Sequence, residues 1–217
     1  MIAGQIFLRA RMIPLYTGVD EDKDQTEIRV DLAFQKVTLR RKSSEVIIAM
    51  IQQDPSQVDA ETSIGRLICG EMRNGGFEVL WDSRLFNAYG DGMRFEDVNA
   101  DGWQEIVIES EIGGHVRYPV LTIFDKDGRE ITRQKYCDIP MRPFAEDAGV
   151  CPIQGVDIRF GRPSKGPEEI IVKDWPGGGE GPTIFRLQNG MYDPELPKRV
   201  PRPAKKKPAK SADRPGK

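Results

Sequence analysis

Glu105-Ile106-Val107-Ile108-Glu109 is too short for a globular helix and consists of β-branched apolar residues between charges. Such a run fits a pleated, buried surface and reads as a strand. Two other runs share its form, Glu45-Val46-Ile47-Ile48-Ala49-Met50-Ile51 and Glu169-Ile170-Ile171-Val172-Lys173, and each opens on a glutamate. Downstream of each lies a tight-turn signal between further strand-like runs. Asn74-Gly75 separates Leu67-Ile68 from Phe77-Glu78-Val79-Leu80-Trp81. Asp127-Gly128 separates Val120-Leu121-Thr122-Ile123-Phe124 from Glu130-Ile131-Thr132. Asn189-Gly190 separates Thr183-Ile184-Phe185-Arg186-Leu187 from Met191-Tyr192. These dipeptides supply the positive-φ residues of a two-residue hairpin.

The three units keep register. Their leading glutamates are 60 and 64 residues apart, and Met93-Arg94-Phe95 corresponds to Ile158-Arg159-Phe160 ahead of the second and third. The expected fold is therefore all-β and antiparallel, with repeats of about sixty residues forming a partial β-propeller or a sandwich-like domain. Residues 1–36 are expected to form an N-terminal strand and loop segment, 37–196 the three-unit β-repeat domain, and 197–217 a disordered tail. Asp31–Leu39 alternates in part and suits an edge or closing strand.

Charge separates the tail from the body. Of 32 Lys and Arg residues, nine fall in 198–217, which holds one of the 34 acids. That gives +8 against −10 for the rest. The tail also carries Pro201, Pro203, Pro208 and Pro215 and little to bury, so disorder is expected. Lys205, Lys206 and Lys207 suit a polyanion or acidic partner, or else a solubilising tail lying on the acidic body. No run of apolar residues is long enough for a membrane-spanning helix. The N-terminus is a poor signal peptide. The compartment is expected to be periplasmic or extracellular if a signal was removed, and cytoplasmic otherwise. Cys137 and Cys151 either pair in an oxidising compartment or stay free, while Cys69 reads as a small core residue.

The segment Asp97-Val98-Asn99-Ala100-Asp101-Gly102-Trp103-Gln104-Glu105 carries the chemistry. Side-chain oxygens recur at alternate positions, a glycine permits a sharp turn, and Glu105 closes the series. Hard cations such as calcium take oxygen ligands at flexible geometry, and the Trp103 carbonyl adds one more donor. An EF-hand would need a glutamate where Ile108 stands, with helices on both sides.

In these residues the chain resembles the FG-GAP or VCBS-type repeats of integrin-like β-propellers, whose calcium loop runs into an Ile/Val strand. Asp97, Asn99, Asp101 and Gly102 match that loop, with Glu105 where the family has aspartate. Phe160-Gly161 matches the family's FG pair, without the residues that follow it there. The resemblance spans 37–193 loosely and one loop closely. It implies structural Ca2+ held by Asp97, Asn99, Asp101, Trp103 and Glu105. It also implies a non-enzymatic binding or scaffold module for a protein or glycan ligand. The alternatives are an intracellular assembly subunit, within a larger complex, that works through its basic tail, and a hydrolase with a carboxylate-based site. The equivalent loops of the other units, at Arg41-Lys42-Ser43-Ser44 and Arg162–Glu169, lack the chelating acids. Asp20–Asp24 reads as a solvated loop, Gly177–Gly181 as a flexible turn and His115 as a surface residue, with no nucleophile motif beside it.

Overall fold

The structure, a computed structural model of the chain, describes residues 30–40, 44–53, 64–83, 86–87, 92–112, 117–132, 153–163, 165–175 and 181–195. Every regular element in them is a strand. The first sheet takes β1 (Val30–Val37), β2 (Val46–Gln53), β3 (Ile64–Arg73) and β4 (Gly76–Asp82) in that order, and short β5 (Phe86–Asn87) also pairs with β3. The middle sheet takes β6 (Gly92–Glu96), β7 (Glu105–Ile112), β8 (Tyr118–Phe124) and β9 (Ile153–Gln154). The third takes β10 (Asp157–Gly161), β11 (Glu169–Lys173), β12 (Thr183–Gln188) and β13 (Met191–Pro194). All pairings are antiparallel between neighbours, so the all-β, antiparallel expectation holds.

The three glutamate-led runs become β2, β7 and β11, each the second strand of its sheet. The segment at Asp31–Leu39 provides β1, the edge of the first sheet. Asn74 and Gly75 (φ 50° and 79°) and Asn189 and Gly190 (φ 53° and 76°) form the hairpin turns they signal.

The Asp127-Gly128 turn differs from the two-residue form. Asp125 N–H donates to Arg129 O, while Asp125 Oδ1 accepts from Asp127 N and Arg129 N. The aspartate side chain thus caps a turn one residue longer, and only Gly128 takes positive φ, at 77°. Gly128 also lies on the Trp81 indole, where a Cβ would come within 2.5 Å of the ring. The strand expected at Glu130–Thr132 shrinks to a single bridge, Phe124 to Glu130, and Ile153–Gln154 supplies the pairing with β8.

Strand alternation explains how the sheets stack. On β7, Ile106 and Ile108 join Ile48, Met50, Leu67, Cys69, Phe86 and Phe124 in a core between the first and middle sheets. Val107 points the other way and joins Leu121, Ile123, Ile170, Val172, Phe185 and Tyr192 between the middle and third. The middle sheet is apolar on both faces because it is covered on both. Cys69 is buried, as its sequence context suggests; Trp175 is buried too, and Trp81 packs against the first core. Cys137, Cys151, His115, Asp20–Asp24, Arg41–Ser43, Gly177–Glu180 and the tail with Lys205, Lys206 and Lys207 lie outside the described residues.

Candidate metal centre

Asp97–Gln104 joins the first two strands of the middle sheet. Its shape follows from short polar side chains competing for backbone N–H groups. Asp97 Oδ1 accepts from Asp101 N (3.1 Å) and Oδ2 from Gly102 N (3.0 Å). Asn99 Oδ1 accepts from Asp101 N (2.8 Å), and Asp101 Oδ1 accepts from Trp103 N (2.8 Å). Two residues take left-handed backbone, Ala100 (φ 61°) and Gly102 (φ 84°). The glycine was legible as a turn residue; the alanine, whose Cβ disfavours this region, was not.

Glu105 folds back beneath the loop. Its Oε2 accepts from Val98 N (2.9 Å) and Asn99 N (3.2 Å), and its Oε1 from Asn99 Nδ2 (2.8 Å). It is only 1% exposed. Burial pushes its pKa up to about 7 from an ordinary 4.5, the two backbone amides pull the other way, and the charges of Asp101 and Asp97 add to the rise. None of the ion pairs among the described residues involves Asp97, Asp101 or Glu105.

The loop brings Asp97, Asn99, Asp101 and Glu105 together through these bonds. Trp103 belongs by its backbone, since its indole turns aside to Arg40 (guanidinium carbon 5.1 Å from the ring centroid) and Lys126 (Nζ 5.5 Å). Among the described residues no three acidic, histidine or cysteine side chains converge closely enough to hold an ion as the loop stands. Asn99 Nδ2, a donor, bonds both Glu105 Oε1 and Asp101 Oδ2 (3.2 Å) and so occupies oxygens that a cation would need. The donor set still suits calcium, being all oxygen and mostly anionic. Binding asks the Asn99 carboxamide to turn its oxygen inward and the carboxylates to draw together.

Sequence reasoning missed the neighbours of this loop. Val98 O accepts from both Glu168 N (2.8 Å) and the buried Tyr192 hydroxyl (3.2 Å). Gln104 N donates to Leu39 O (2.7 Å), and Arg162 bridges Glu96 (2.6 Å) and Glu168 (3.0 Å). Burial, with the charges of Glu105 and Glu168, drives the Tyr192 pKa far up, so it remains a hydroxyl donor.

No protein family, no curated protein and no solved structure matches this chain. The resemblance to FG-GAP or VCBS-type repeats is carried by the loop residues and the repeat spacing alone.

Proposed function

We propose that the chain is a non-enzymatic, calcium-stabilised binding or scaffold module of partial β-propeller architecture, whose loop end meets a protein or glycan partner. Three successive antiparallel sheets of five, four and four strands, stacked face to face and joined in chain order, support the propeller-like reading over a two-sheet sandwich. The observation that carries the metal is Glu105, a buried carboxylate beside Asp97 and Asp101 with no cationic side chain paired to it among the described residues. Buried charge without a partner is costly, and a divalent cation is the natural counterion for three clustered carboxylates. Asp97, Asn99, Asp101 and Glu105 would hold the ion through side-chain oxygens and Trp103 through its carbonyl. The ion would supply the charge that this chain's residues lack there and would fix the start of β7. The role assigned to it is structural.

Thermal unfolding with calcium and with a chelator tests this reading. At tenfold excess over Kd, calcium is expected to stabilise the protein by about 1.4 kcal/mol. At about 2–4 °C per kcal/mol, the midpoint should rise by about 3–6 °C. The Asp97→Asn/Asp101→Asn double variant should lose that rise. An equal rise in wild type and variant would remove the site.

A further inference from the structure

The hydrogen bonds that leave the Asp97–Glu105 loop are distributed in an informative way. Gln104 N–H reaches Leu39 O, just past the last residue of β1 in the first sheet. Val98 O receives Glu168 N–H, just ahead of β11, and the Tyr192 hydroxyl from β13 in the third. The Val98 side chain is itself fully buried in the core between the middle and third sheets. The Trp103 ring meets Arg40 beside the first sheet and Lys126 from the turn after β8. A second set of ties runs through that turn and the residues after it, from Trp81 Nε1 to Lys126 O (2.9 Å) and from Tyr192 N to Ile131 O (2.8 Å). Both connections of the middle sheet at this end thus touch both neighbouring sheets. The loop's own shape is held by Glu105 and Asn99 from within.

We propose that the Asp97–Glu105 loop is a clamp that couples the two sheet–sheet interfaces, so that opening this one loop loosens the first and third sheets together. The clamp is built from protein hydrogen bonds and does not depend on the calcium reading. In physical terms it ties what would be separately opening sheets into one cooperative unit. The molecule carries a reporter for each interface. Cys69 lies in the core between the first and middle sheets, its thiol pushed up to about 12 by burial and by Glu71, so that it reacts only when the interface opens. Ile170 and Val172 of β11 lie in the other core.

The experiment uses the full chain with Cys137→Ser and Cys151→Ser, leaving Cys69 as the one thiol, in chelator so that no divalent ion takes part. Cys69 alkylation and amide hydrogen exchange of β11 are followed under native conditions. Asn99→Ala, which removes the amide linking Glu105 to Asp101, is expected to speed both by a common factor of about tenfold, the worth of one or two hydrogen bonds. Lys165→Ala, in the equivalent loop of the third sheet, is expected to speed neither. Should Asn99→Ala not fold, Asn99→Asp replaces the donor by another negative charge and carries the same expectation. Acceleration confined to the loop's own amides, or seen at one reporter alone, or equal acceleration by Lys165→Ala, would overturn the clamp.

Discussion

Two loops occupy the same place in neighbouring sheets and solve the same electrostatic problem differently. Asp97–Gln104 leads into Glu105 at the start of β7, and Arg162–Glu168 leads into Glu169 at the start of β11. In the third sheet Ile170 pairs with Phe185, which places Arg186 opposite Glu169, and the two bond at 2.7 Å; Arg186 also pairs with Glu195. In the middle sheet Ile106 pairs with Phe124, so the residue facing Glu105 is Asp125, already committed to capping its turn. One glutamate is neutralised by a cation of the chain, at the surface. The other is buried among backbone amides with acids around it. A strand start that carries its own cation needs nothing added. One that does not is where an external cation has most to offer.

The largest test of this contrast removes each glutamate. Glu105→Ala leaves the Asn99 amide without its acceptor and the Val98 amide with only Glu96 O, and should cost about 2–3 kcal/mol, read as a lower urea midpoint. Glu169→Ala breaks a surface pair and should cost under about 1 kcal/mol. Equal losses would erase the distinction between the loops.

The pH dependence follows next. The folded-state pKa of Glu105 lies near 7, above its ordinary 4.5, so the folded protein holds this proton more tightly than the unfolded chain. The stability this supplies is complete below pH 4.5 and is lost as pH rises through 7, on the order of 3 kcal/mol in all. Subtracting the profile of Glu105→Gln from that of the wild type in chelator isolates this contribution. Calcium should flatten the difference by favouring the ionised carboxylate.

The smallest effects concern the backbone. Ala100 and Gly166 both sit at left-handed φ, 61° and 91°, and a Cβ at Gly166 would meet nothing within 4 Å. Ala100→Gly should stabilise, and Gly166→Ala destabilise, each by under about 1 kcal/mol in thermal melts. Like signs for the two substitutions would contradict the left-handed strain assigned to Ala100.

Much of this architecture was legible. Short β-branched runs fixed β2, β7 and β11, and Asn-Gly pairs fixed two hairpins, because these signals are local. The acidic loop was legible as a loop for the same reason. The split partner of β8, the capped turn at Asp125 and the left-handed Ala100 were not, since each depends on a side chain or tertiary contact that overrides a local preference. Nor did sequence reveal the opposed Glu105 and Asp125. That meeting depends on strand register, which pairing across the sheet decides.

Direct titration of the full chain with calcium at pH 7, by calorimetry in buffers of different ionisation enthalpy, addresses the central claim most closely. One site with Kd on the order of 10⁻⁴–10⁻³ M is expected. A buffer-dependent heat is expected as well, because burial raises the Glu105 pKa to about 7 and calcium binding would release the proton held there. Absence of any heat beyond dilution up to about 10 mM calcium, well above that Kd range, would contradict that claim.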